Sequence, residues 1–144
     1  MILADSHLGE GRIDNWVIDS SVHLVVGSAV LVTMLAATVY LVRLAWQGGE
    51  VDSTARLLLG VAQATLVVQV LIGIKLLDQG QGIVQLYIHY VGGALPLGLF
   101  LAAGWFAWRD ALRYTRLLSV LTAVGMVSVT MAFVIGRSFA TRTI

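Results

Sequence analysis

Two histidines, His23 and His89, are the side chains in this sequence best suited to chemistry inside an apolar medium. Each stands near the start of a long apolar run, His23 seven residues after Trp16 and His89 six residues after Ile83. As helices, these runs would carry the imidazoles about 10 Å and about 9 Å from their starts, at a rise of about 1.5 Å per residue. One further apolar run separates the two. A chain that reverses at each connection therefore sets them parallel, with both rings at one level. An imidazole in hydrocarbon must find a partner, because an unsatisfied polar group there costs on the order of several kcal/mol. Two imidazoles at one level could ligate one iron from opposite faces of a porphyrin. Gly27 lies one turn after His23, and Gly92 and Gly93 lie one turn after His89. On those faces only small residues would let a flat macrocycle approach. Lys75, Arg137 and Arg12 fall toward the same end and suit the pairing of propionates. The candidate site is therefore His23 and His89 as metal ligands around haem b, with Gly27, Gly92, Gly93, Lys75 and Arg137 as further binding residues. No side chain is assigned a catalytic role.

Other readings of these residues stand beside this one. A buried histidine commonly serves as a structural hydrogen-bonding group between membrane helices, and glycines commonly serve as packing positions there. Met131 falls at roughly the depth of the histidines. Met126 and Met131 could each replace one imidazole as an axial ligand, although apolar filling is the simpler role for both. Gln63, Gln69, Ser119, Thr122, Ser128 and Thr130 are expected to hydrogen-bond between helices. His7 lies in a polar segment and is expected to be solvated.

The elements that must position these residues are legible in composition. Of 144 residues, 58% are hydrophobic and 12% charged, with a mean hydropathy of +0.89. A soluble domain typically carries about twice that charge. About 20 apolar residues cross a hydrocarbon core of roughly 30 Å. The sequence predicts four such spans, at about 16–44, 54–77, 83–108 and 115–135, in a single domain over 1–144. The connections are short, so consecutive helices should be antiparallel neighbours. The expected fold is an all-α membrane protein, a four-transmembrane-helix up-down antiparallel bundle. Ser53 is the expected N-cap of the second span, and Pro96 an expected kink in the third. The absence of cysteine excludes disulfides, thiolate metal sites and c-type haem attachment. A net charge of +1 offers nothing to a nucleic acid. No span has an acid at its centre, which argues against a proton pump or ion-coupled carrier.

Lys and Arg near span ends set the expected orientation. Arg43, Arg56, Arg109, Arg113 and Arg116 flank the first and third connections, whereas Lys75 alone flanks the second. The flanking segments add Arg12, Arg137 and Arg142 to the side of Lys75. The sequence thus predicts a multi-pass protein of the cell (inner) membrane with both termini outside the cytoplasm. Trp46, Trp105, Trp108 and Tyr114 would then sit near the inner interface, and Trp16 and Tyr87 near the outer one. Met1–Asn15 lacks the basic start and apolar run of a secretory signal and is expected to be a retained, exposed tail.

The segment Ala62-Gln63-Ala64-Thr65-Leu66-Val67-Val68-Gln69-Val70-Leu71-Ile72-Gly73, followed by His89 at the head of a long apolar helix, resembles part of the haem A synthase family. Members of that family resemble two fused four-helix bundles, and the resemblance covers one such half. It implies a histidine pair on two parallel helices near the outer face, holding either an electron-transfer haem b or the haem being oxidised. Leu24 stands where the family often has Arg, and Ser20 where it has an acid. The outer-loop cysteine pair of many members is absent.

The function expected is that of a small b-type electron-transfer subunit, bound to other membrane subunits and without independent catalysis. The alternatives are a cofactor-free structural or assembly subunit of a respiratory or photosynthetic complex, a haem-modifying enzyme, and a pigment protein with one chlorophyll on each histidine. The orientation is directly testable. With single cysteines at Ser53→Cys and Gly80→Cys, a membrane-impermeant thiol reagent applied from outside should label position 80 and spare position 53. The reverse pattern would invert the topology.

Overall fold

The computed structural model describes residues 16–80, 87–106 and 111–140. These residues form four helices and, among themselves, no strand: α1 (Ser20–Trp46), α2 (Ser53–Asp78), α3 (Tyr87–Phe106) and α4 (Ala111–Ala140). The expectations placed on Met1–Asn15, on 81–86, on 107–110 and on 141–144 lie outside the described residues.

Local chemistry explains the helix ends. α1 begins later than expected because Asp19 caps it, its carboxylate accepting from the Ser21 N–H at 2.7 Å. α2 is capped by Asp52 and not by Ser53, which is the first helical residue. Asp52 Oδ1 accepts from the Ala55 N–H at 2.7 Å, and a carboxylate also complements the positive end of the helix dipole. At the other end of α1 the chain leaves through Gly48, at φ +68°. There the Gly49 N–H reaches Leu44 O and the Gly48 N–H reaches Ala45 O, closing a Schellman turn that only glycine enters without cost. Gly80 ends α2 in the same left-handed conformation, at φ +77°. α4 already includes Ala111–Tyr114, which the sequence reading had placed in a connection. Arg113 and Arg116 are exposed there, so the helix continues past its apolar stretch.

The helices meet along stripes of spacing four and three. α1 contributes Val30, Met34, Ala37 and Leu41, and α2 contributes Ala55, Leu59, Ala62 and Leu66, all buried. Pro96, Phe100 and Ala103 continue the pattern on α3, and Leu118, Thr122, Gly125 and Val129 on α4. A repeat of seven keeps one seam of a helix against its neighbours. α1 packs against α2 and α4, α3 packs mainly against α4, and the α2–α3 seam is the sparsest of these interfaces. Between α1 and α2 the hydrogen-bonded pairs are His23 with Gln69, Thr33 with Thr65 and, beside them, Tyr40 with Asp52. Thr38 donates from α1 to Thr122 O on α4 at 3.2 Å. Ser119, Thr122 and Thr130 direct their hydroxyls to carbonyls of α4 itself and not to another helix. That is the usual local satisfaction of a hydroxyl in an apolar helix. Pro96 is buried, with its ring against Gly125, where a Cβ would lie 3.2 Å from it.

The outward faces are apolar. Val32, Val39, Leu101 and Val127 are all more than half exposed. α1, α2 and Ala111–Ser138 of α4 are long and apolar enough to cross a membrane, and the apolar part of α3, Ile88–Gly104, is shorter. A protein with such surfaces is dissolved in lipid, since water would leave this area unsatisfied. It is a membrane protein.

Asp52 supplies a pH test of the α1–α2 connection. Its carboxyl is held below the ordinary carboxylate range, first by the Tyr40 hydroxyl, which donates to Oδ2 at 2.6 Å, and then by the Ala55 N–H. A depressed folded-state pKa contributes stability that is full above the ordinary carboxylate value and is lost as pH falls through the lowered one. In detergent, the wild-type melting temperature should therefore fall on acidification through that window, and Asp52→Asn should show a flatter profile. Parallel profiles would assign the acid sensitivity elsewhere.

Candidate functional site

The seven-residue stripes do not end where the hydrophobic core ends. Extended toward one end of the molecule, they run through Gly27 to His23 on α1, through Gln69 to Gly73 on α2, through Gly92 to His89 on α3, and through Ala132 to Gly136 on α4. The same geometric seam that buries Leu and Val at one end gathers two imidazoles, an amide and small residues at the other.

The histidine rings approach each other with centroids 5.9 Å apart and planes at 63°. Each ring has a partner that fixes its tautomer. His89 Nδ1 lies 2.7 Å from Ala132 O, and a carbonyl only accepts, so Nδ1 carries the proton. In the neutral ring the lone pair is then on Nε2. His23 Nε2 lies 3.2 Å from Gln69 Nε2, which also sits 3.1 Å from His23 O. Contact with that carbonyl identifies the Gln69 atom as the amide nitrogen, a donor. His23 Nε2 therefore accepts, and its proton is on Nδ1. Both histidines thus hold the same tautomer, with a lone pair at Nε2. Among the described residues two buried side-chain atoms have no hydrogen-bond partner, His23 Nδ1 and Gln69 Oε1.

The glycines do not all act as expected. A Cβ on Gly27 would lie 3.1 Å from Gln69 Nε2 and 3.4 Å from the Phe133 ring. Gly27 thus lets α1 approach α2 and α4. A Cβ on Gly92 would lie 3.4 Å from Ser128 O, so Gly92 lets α3 approach α4. Gly93 faces open space. Two further glycines lie against the rings: a Cβ on Gly73 would stand 3.5 Å from His23 Cε1, and one on Gly136 would stand 2.9 Å from His89 Cε1. Lys75 pairs with Asp78 at 2.9 Å, one turn along α2. Arg137 is exposed in the last part of α4. Met131 is more than half exposed, off the seam, and Met126 packs against the core.

Comparison with protein-family models, curated proteins and solved structures returned no match.

Chemically, the pair offers two neutral nitrogen ligands and little else. Among the described residues no three of His, Cys, Asp and Glu come together, so a metal held only by such side chains is not assembled there. Two metal–imidazole bonds of about 2 Å, plus roughly 1 Å from each nitrogen to its ring centre, would set ring centres about 6 Å apart. The ring centres stand 5.9 Å apart in an edge contact, with His23 Nε2 turned to Gln69.

Gln69 makes the interhelical hydrogen bond expected of it, and its target is His23. The signal is its place three residues after Leu66 and one heptad after Ala62 on the buried stripe. Gly136 could have been found the same way, from Leu118, Thr122, Gly125, Val129 and Ala132. Substituting Gly136→Ala should displace the His89 ring and break its bond to Ala132 O, because overpacking a filled site costs about 1–3 kcal/mol. Gly93→Ala, into open space, should cost nothing. Thermal unfolding and the His89 Nδ1 nitrogen shift would read the difference; equal behaviour of the two variants would refute the packing argument.

Proposed function

We propose that this chain is a membrane-embedded b-type haem protein, a small electron-transfer subunit in which His23 and His89 ligate one iron. The observation that carries the reading is the imidazole pair at a centroid separation of 5.9 Å, with the lone pair of His89 on Nε2 and that of His23 Nε2 held by the Gln69 amide. Bound there, haem b would supply one-electron redox chemistry in a medium that excludes water. The chain's own residues hold the rings and their tautomers. Gly27 and Gly92 are already committed to helix contacts, so the macrocycle is best accommodated on the side of Gly93 and the sparse α2–α3 seam. Propionates would meet Arg137 and would compete with Asp78 for Lys75. In this reading the four helices cross the cell membrane as an up-down antiparallel bundle. Both termini and the haem lie toward the outer face, and electrons pass to and from other membrane subunits. The resemblance to one half of the haem A synthase family supports a haem, while the missing cysteines favour electron transfer over oxidation of the haem itself.

A second reading, a cofactor-free structural subunit of a membrane complex, draws on the same hydrogen bonds. Ala132 O and Gln69 give each imidazole a partner without any metal.

Haem titration of the detergent-solubilised protein separates the two. A Soret band with low-spin α and β bands should appear on binding. His23→Ala and His89→Ala should each abolish or convert it while leaving membrane insertion intact, since insertion follows hydrophobicity. Absence of a Soret band in the wild type, or its persistence unchanged in both variants, would leave the structural subunit.

A further inference from the structure

The end of the bundle that holds the histidines leaves two buried polar atoms without partners, and they are complementary. His23 Nδ1 carries the ring proton and is a donor; Gln69 Oε1 is a carbonyl oxygen and an acceptor. They belong to residues already joined, because the Gln69 amide N–H groups reach His23 Nε2 and His23 O. Leaving both unmade in an apolar interior is costly, so the arrangement is poised to change when a better one becomes available.

His89 shows what that arrangement is. Its Nδ1–H is held by a carbonyl, Ala132 O, and its Nε2 is left with the lone pair. A metal-bound imidazole characteristically donates its second N–H to a carboxylate or carbonyl, which fixes the ring and raises its basicity. The only groups of Gln69 and His23 that could reproduce this are the two orphans.

We propose, resting on the haem reading above, that Gln69 is the positioning residue of His23. In the free protein its amide N–H caps Nε2 and so holds the Nδ1–H tautomer, the one that can offer Nε2 to iron. With Nε2 committed to a haem iron, Gln69 would leave Nε2 and its carbonyl Oε1 would accept from Nδ1–H. Both histidines are then held alike, His89 by a backbone carbonyl and His23 by a side-chain carbonyl. No bond to carbon changes and no proton leaves the site. The tautomer set before binding is the tautomer used in binding. The backbone carbonyl at Ala132 cannot be altered by substitution, whereas Gln69 can, so Gln69 is the position at which the sequence adjusts the electron density delivered to the iron.

The test uses the full chain in detergent micelles, with two readouts on wild type, Gln69→Leu and Gln69→Glu. In haem-free protein, the imidazole nitrogen shifts of His23 should report the Nδ1–H tautomer in the wild type and a mixture in Gln69→Leu, with His89 unmoved. An unaltered His23 tautomer in Gln69→Leu overturns the positioning role. In haem-loaded protein, Gln69→Leu should bind haem about 10- to 100-fold more weakly, the loss typical of such outer partners, and at a higher midpoint potential. Gln69→Glu, which keeps an acceptor and adds charge, should retain binding at a lower potential. Equal affinities and potentials in all three overturn the ligand-bound half. A wild type with no Soret band overturns the haem reading and that half with it, while the nitrogen shifts of the haem-free protein still decide the tautomer half.

Discussion

Hydrocarbon offers no hydrogen bonds, so every polar group carried to depth must be met from inside the protein. The arrangement of this bundle follows from that constraint. Thr122 and Thr130 turn their hydroxyls onto carbonyls of their own helix. Thr33 and Thr65 meet across α1 and α2 at 3.0 Å. His89 finds the Ala132 carbonyl and His23 finds Gln69. Among the described residues the buried side-chain atoms left unmet, His23 Nδ1 and Gln69 Oε1, lie together beside the edge contact of the two imidazoles.

Close approach of the helices is the second requirement, and small residues supply it. Gly27 and Gly125 each sit where an added Cβ would press on a side chain of a neighbouring helix, and Gly92 lies where a Cβ would just touch α4. Ala37, Ala55, Ala62 and Ala103 are buried on the same seams. Without a hydrophobic drive between helices in lipid, such surfaces associate by van der Waals packing, which small side chains make possible. The sparse α2–α3 seam is the exception. Gly93 has open space beside it, and the macrocycle is proposed toward that less crowded part of the structure.

The ends of α1 and α2 show how much local chemistry settles. Asp19 and Asp52 cap helices through carboxylates, and Gly48 and Gly80 end them in the left-handed region. Gln79 adds a longer reach. Its side chain is buried and pairs with both backbone groups of Ile18, accepting at 2.8 Å and donating at 2.9 Å. The segment leading into α1 is thereby tied to the end of α2, at the same end as His23. That contact spans 61 residues of sequence and has no local signature.

The sequence by itself determined the apolar helices, the shared depth of His23 and His89, and the polar connections between runs. These follow from hydropathy and from the constant rise of a helix, which need no knowledge of neighbours. The Lys75–Asp78 pair is equally local, three residues apart on one helix, although the propionate role expected of Lys75 had passed over it. Only the tertiary structure decided what each side chain faces. Depth along a helix is a one-dimensional quantity, whereas facing depends on rotation about the axis and on which helices are adjacent. That is why Gly27 serves Gln69 and Phe133 and no open face, and why Met131 turns outward. It is also why Gln69 and Gly136, unremarkable in a chain rich in apolar and small residues, turn out to be the groups in contact with the two imidazoles.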